Sequence, residues 1–246
     1  MRYRARQPAR VRRAIVSAVR LVLACLAALL TTAHAAPSGR IQGTVRFEGT
    51  PPERTPVRRD TDPYCNQGTL LSADVIVTDG KLRDVLVRIK NGSLPAANVP
   101  APAVIDQRGC AYAPRVIGLV AGQQLAVRNS DGTFHNVHGA VAGKLVWNKP
   151  AAPGDPPLTL DGSPRAGDVI DVICDVHPWM HAYAVVQDHA VFAVTGDDGA
   201  FELTGLPPGT YTVEAWHPTL GTRSTTVTVA AGKAARAQLA YRSERP

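Results

Sequence analysis

Past its first thirty-five residues this chain sustains no helical period, and that constrains its fold more than any other feature. Short alternating or β-branched runs recur instead, each bounded by Gly, Pro, Asn or Asp. The pattern predicts an all-β protein. Expected strands are Ile41–Phe47, Ser72–Val77, Leu82–Ile89, Val116–Val120, Gln123–Asn129, Val169–Cys174 and Ala182–Gln187. Further on come Val191–Thr195, Ala200–Leu203, Thr210–Trp216, Ser224–Val229 and Ala235–Tyr241. Asp79-Gly80, Asn91-Gly92, Asp131-Gly132, Asp198-Gly199 and Pro207-Pro208-Gly209 supply turns between them. The Pro/Ala-rich segment 93–103, and segment 148–166 with its five prolines, are expected as surface loops, because proline cannot donate to an inner ladder.

The first residues belong to a different kind of segment. Residues 1–20 hold seven arginines and no acid, and the apolar run Leu21–Leu30 follows. Ala33-His34-Ala35 then offers a small-x-small cleavage site. Residues 1–35 are therefore expected to be a secretory signal peptide, cleaved after Ala35, and the protein to be periplasmic or secreted. The apolar run is too short to span a bilayer comfortably, so no stable membrane span is expected after cleavage. Those seven arginines account for the whole excess of 27 basic over 20 acidic residues. The remaining chain is nearly neutral, which removes the electrostatic case for nucleic-acid binding.

Of the four cysteines, Cys25 would leave with the signal. Cys65, Cys110 and Cys174 remain, and an odd count in an exported protein leaves one thiol unpaired. The economical pairing is a Cys65–Cys110 disulfide, allowed outside the cytoplasm, with Cys174 kept as a thiolate by a metal. A different pair, or three reduced thiols, are the alternatives.

Cys174-Asp175-Val176-His177-Pro178-Trp179-Met180 places a thiol, an imidazole and a thioether within seven residues at the end of a β-type run. Upstream, Phe134-His135-Asn136-Val137-His138 supplies further imidazoles after the turn Asn129-Ser130-Asp131-Gly132. Two imidazoles, a thiolate and a weak thioether are the donor set of a blue-copper site. Asn136 could tie the two ligand loops together by hydrogen bonds. Zinc competes for Cys and His, but thioether is a poor zinc ligand and export favours copper. Trp179 is expected as a lid over the site and Asp175 as a loop cap.

The segment 116–187 resembles a cupredoxin, the family that includes plastocyanin. The resemblance lies in the Asn-x-Asp turn before His135, the Asn after it, and a strand ending in Cys174 followed by His177 and Met180. It implies a Greek-key β-sandwich holding one type 1-like copper ion. His135, Cys174 and His177 would be its ligands, with Met180 as the axial thioether. The His-x2-Met interval is shorter than the family's, so His138, His181 or an open position could replace Met180.

Val191–Tyr241, with its Asp197-Asp198-Gly199 and Leu206-Pro207-Pro208-Gly209-Thr210-Tyr211 elements, is similar to carboxypeptidase regulatory-like domains, which are transthyretin-like β-sandwiches. No catalytic set is visible there, and His217 is expected at the surface. The two-module order resembles exported bacterial proteins labelled methylamine-utilisation proteins, a label that says little about activity. The expected organisation is a copper domain with an N-terminal extension over 36–187 and the small sandwich over 188–246. Arg40–Gly49 could pair with either sandwich. The mixed charges Glu53, Arg54, Arg58, Arg59, Asp60 and Asp62 suggest a solvated loop.

These readings lead to an electron carrier rather than a catalyst, exchanging one electron with periplasmic redox partners that dock at an exposed histidine edge. A copper carrier or buffer, and a non-redox binding sandwich, are the alternatives. Oligomeric state is not legible.

Overall fold

A computed structural model of the chain describes residues 36–91, 94, 98–160 and 164–243. The expected signal segment 1–35, with Cys25 and the proposed cleavage site, lies outside them. No helix occurs among the described residues, and none there is long and apolar enough to cross a membrane. The strands are β1 (Gly39–Glu48), β2 (Val77–Thr78), β3 (Lys81–Leu82), β4 (Leu86–Asn91), β5 (Ala103–Gln107), β6 (Tyr112–Ala113), β7 (Val116–Val120), β8 (Leu125–Asn129) and β9 (His135–Val141). They continue as β10 (Lys144–Ala151), β11 (Leu158–Leu160), β12 (Val169–Ile173), β13 (His181–Gln187), β14 (Phe192–Val194), β15 (Ala200–Leu206), β16 (Gly209–His217), β17 (Gly221–Val229) and β18 (Ala234–Arg242). The protein is all-β, as its patterning predicts.

Two sandwiches form. In one, the sheet β10-β9-β12-β13-β7 packs on the sheet β11-β8-β5-β6. Ile105, Leu125, Val127 and Leu160 of the second sheet share a core with Val137, Ile170, Val172, Ala182 and Ala184 of the first. In the other, β15-β1-β3-β2 with β18 packs on β14-β4-β16-β17, around Ile41, Val45, Val87, Leu203, Val213 and Tyr241. A smaller apolar seam of Leu86, Val116 and Val185 joins them.

The sheets do not follow a division at residue 188. β1 lies between β15 and β18, antiparallel to one and parallel to the other, and β4 pairs with β14 and β16. The stretches 39–48 and 81–91 therefore complete the C-terminal sandwich, which the chain leaves at residue 91 and rejoins near residue 192. Periodicity marks these segments as strands but carries no information about partners more than a hundred residues away.

Other differences are local. Ser72–Val77 forms only the tail that becomes β2, and Leu82–Ile89 is broken into β3 and β4. The break carries Asp84 at φ 61°, a left-handed conformation that interrupts a ladder. The β9–β10 hairpin was not expected, because its strands hold polar residues, Gly139 and Pro150 in place of an alternating apolar run. β11 lies inside the proline-rich stretch 148–166, at the edge of its sheet, where prolines on either side are tolerated. His217, expected at the surface, is buried, and its Nδ1 accepts hydrogen bonds from the Thr219 and Leu220 amides.

Strand parity positions the candidate ligands. Along β12, Ile170 and Val172 point into the core, and the next residue with that parity is Cys174, 1% exposed. Along β9, His135, Val137 and Gly139 point inward while Asn136 and His138 lie on the opposite face. Met180 and Ala182 have the buried parity at the start of β13, and His181 between them does not.

Candidate metal centre

The three donor atoms brought together are His135 Nδ1, His177 Nδ1 and Cys174 Sγ. The two nitrogens are 2.8 Å apart, and the sulfur lies 3.9 Å from His135 and 3.8 Å from His177. A point about 2 Å from all three atoms lies within this triangle, which matches metal–imidazole and metal–thiolate bond lengths of roughly 2.0–2.3 Å. All three residues are buried, and Met180, on the same loop, is fully buried with them. The loop is closed by backbone bonds from the Met180 amide to His177 O (2.8 Å) and from the Cys174 amide to Met180 O (3.3 Å). The tight return needed to bring His177 back beside Cys174 is thus built into the seven-residue segment.

Each imidazole turns its Nδ1 toward the triangle and offers Nε2 to a carboxylate. His177 Nε2 is 2.9 Å from Asp62 Oδ2, and His135 Nε2 is 3.0 Å from Asp131 Oδ2. This is the carboxylate–histidine arrangement that fixes the tautomer of a ligating ring and raises its basicity. Burial holds the His135 imidazole below its ordinary range despite Asp131, which favours the neutral form a metal requires. Burial pulls the Asp62 carboxyl upward. Hydrogen bonds from His177, Thr133 and the Cys65 and Tyr64 amides outweigh this and hold it below the usual carboxylate range.

The two carboxylates continue into the disulfide. Asp62 accepts from the Cys65 amide (3.3 Å) and Asp131 from the Cys110 amide (2.9 Å), and Cys65 and Cys110 are bonded to each other. The expected pairing is therefore present, and Cys174 is the free cysteine among the described residues. His177, Asp62, the disulfide, Asp131 and His135 form a belt around the outer side of the donor triangle.

A second group buttresses the strand ends. The Tyr112 hydroxyl donates to the carbonyls of Asn136 (3.2 Å) or Ile173 (3.1 Å), and Gln107 Nε2 also donates to Asn136 O (3.1 Å). Burial, with the nearby Cys174 charge, pushes the Tyr112 phenol far upward, so it stays a neutral donor. Asn136 ties the ligand loops: its Nδ2 donates to Asp175 (2.8 Å) and its Oδ1 accepts from the Asp175 amide (2.7 Å). Asp175 also accepts from Asn148 and pairs with His138. Trp179 packs its ring 5.0 Å from that of His177 and donates to Cys110 O.

Three expectations need correction. His138 and His181 do not join the donor group. Both have the outward parity of their strands, and they face Asp175 and Asp171 respectively. Asp62 does not lie in a solvated loop; its side chain is 19% exposed and bonded to His177. The histidine edge through which a partner was expected to dock is covered, for His177 is 1% exposed. Asp62, Asp131, Gln107 and Tyr112 escaped the sequence reading. Asp131 carried a signal, an acid four residues before His135, and Asp62 a weaker one, three residues before Cys65.

Comparison with known proteins places a match to the Carboxypeptidase regulatory-like domain at residues 181–242. No curated protein matches the chain. Among solved structures, a purple cupredoxin from Nitrosopumilus maritimus is 22% identical, with 36% of this chain and 100% of that one covered, at a TM-score of 0.30. A variant of amicyanin in its reduced state is 23% identical over 41% of this chain and 98% of its own, with a TM-score of 0.32. A copper-containing nitrite reductase from Thermus scotoductus SA-01 is 17% identical over 40% of this chain, at 0.31, and the matched part spans 25% of that enzyme. The family match falls on the stretch whose sequence resembles carboxypeptidase regulatory-like domains.

Proposed function

We propose that this is an exported copper protein in which His135, Cys174 and His177 hold one type 1-like ion and which passes single electrons between periplasmic partners. The observation that carries this reading is the triangle of two Nδ1 atoms and one Sγ at 2.8, 3.8 and 3.9 Å. When bound there, copper supplies a one-electron couple between its cuprous and cupric states. Soft sulfur favours the cuprous state, and imidazole serves both.

The rest is done by the chain. Asp62 and Asp131 fix the rings from outside, Tyr112 and Gln107 hold the carbonyls that precede or flank the ligands, and burial excludes water. A site so held changes little between oxidation states, which favours electron transfer over catalysis at an open position. It also weighs against ready release of the ion, the property a carrier needs. With the His177 edge covered, a redox partner would approach the exposed Tyr64, Phe134 and Val176, each adjacent in sequence to a residue of the belt or triangle.

Protein loaded with one equivalent of copper under oxidising conditions is expected to show intense thiolate-to-copper absorption in the visible range and a reversible one-electron wave at an electrode. A colourless copper complex contradicts the proposal. Rapid loss of cuprous ion without a reversible wave would favour carriage instead.

A further inference from the structure

We infer that Asp62 is a positioning residue that sets the reduction potential of the metal centre through His177, and that the Cys65–Cys110 disulfide is what keeps it there. The inference rests on copper being held by His135, Cys174 and His177. It begins from a carboxylate 115 residues upstream, supplied by the N-terminal extension, that caps a ligand imidazole.

Because His177 presents Nδ1 to the donor triangle, its proton sits on Nε2 and is donated to Asp62 Oδ2 at 2.9 Å. Oδ2 also accepts from the Thr133 hydroxyl at 3.0 Å, and Oδ1 accepts from the Tyr64 amide at 2.7 Å and the Cys65 amide at 3.3 Å. With four donors the carboxylate has little freedom to turn away. An anion hydrogen-bonded to the outer nitrogen pushes charge onto the ring and stabilises the more positive state of an ion at the inner nitrogen. Asp62 should therefore favour the cupric form and lower the potential.

Several of the extension's other polar contacts are internal. Arg59 donates to the carbonyls of Gln67 and Gly68, Arg54 to those of Leu71 and Ser72, and Pro56 bridges to Leu71, all within the segment itself. Its ties to the metal sandwich near the site include the contacts of Asp62 with His177 and Thr133, the Tyr64 ring over Gly132, and the bond from Cys65 to Cys110, which is the covalent one. Cys65 Sγ also lies 3.8 Å from His177 Nε2. Removing the disulfide should free Asp62 and uncover His177 together.

The test is voltammetry on the copper-loaded full chain, on Asp62→Asn, Asp62→Glu, and the double variant Cys65→Ser/Cys110→Ser. Asparagine keeps an acceptor oxygen but loses the charge. It should raise the potential by at least a tenfold change in the cupric-to-cuprous equilibrium, about 59 mV for one electron. Asp62→Glu should restore part of the shift. The double variant should shift in the same direction and lose copper to an external chelator at least tenfold faster. If the unaltered protein binds copper with a thiolate band but the potentials of Asp62→Asn and the double variant equal its own, this inference is overturned and the copper assignment stands. If the unaltered protein binds no copper through Cys174, both fail. Should Asp62→Asn not fold, the double variant decides: an unchanged potential overturns the inference.

Discussion

Cys174→Ser is expected to abolish the visible absorption of the copper-loaded protein and to leave copper weakly held or absent, while the two sandwiches stay folded. The side chain is 1% exposed and ends 3.8–3.9 Å from both Nδ1 atoms, so its sulfur has no role at the surface. A serine oxygen is nearly isosteric, but it is a hard donor, remains protonated at neutral pH, and cannot supply the charge transfer of a copper–thiolate bond. The cost in stability of the apoprotein should be limited to burial of one hydroxyl, about 1–3 kcal/mol. Spectra and metal content of the variant, beside a denaturation curve without copper, separate the two effects. A persistent visible band would show that the sulfur of Cys174 is not a ligand.

The second large effect concerns the strand that carries His135. Gly139 has the inward parity of β9 and sits directly opposite Trp147 of β10. A Cβ built on Gly139 would lie 1.2 Å from Trp147 Cζ3 and 1.5 Å from its Cε3, inside the indole ring itself. Trp147 is 6% exposed, so its ring must leave the core before any side chain can enter. Gly139→Ala should therefore cost most of what expelling a buried tryptophan costs, about 3–5 kcal/mol. Trp147→Ala alone should cost a similar amount, and adding Gly139→Ala to that background should cost no more than about 1 kcal/mol. A double-mutant cycle by chemical denaturation reads this directly. Near-additive losses would mean that the indole does not occupy the space over Gly139.

Much of the centre is legible in the sequence because it depends on local geometry. Cys174, His177 and Met180 fall on one short loop after a strand of clear period-two alternation, and His135 follows a polar turn at the end of another. The choice between His135 and His138 is also a matter of parity. It could not be made without knowing that β9 starts at His135, and a strand of such polar residues does not announce itself. Asp62 was hidden for a different reason. Arg58-Arg59-Asp60-Thr61-Asp62 has the composition of a solvated loop, and its place beside His177 depends on contacts with residues far along the chain, among them Thr133 and the disulfide between residues 45 apart. The interleaving of the sandwiches was equally out of reach. β1 and β4 look like strands of any sheet, and their partners in β14–β18 lie more than a hundred residues away, beyond the reach of a local pattern.

X-ray absorption at the copper edge on the singly loaded protein reads the donor set itself. A nearest shell of two imidazole nitrogens and one sulfur is expected, with the sulfur contribution lost in Cys174→Ser. A shell of nitrogen and oxygen alone, or one that does not change in that variant, would contradict the proposed site.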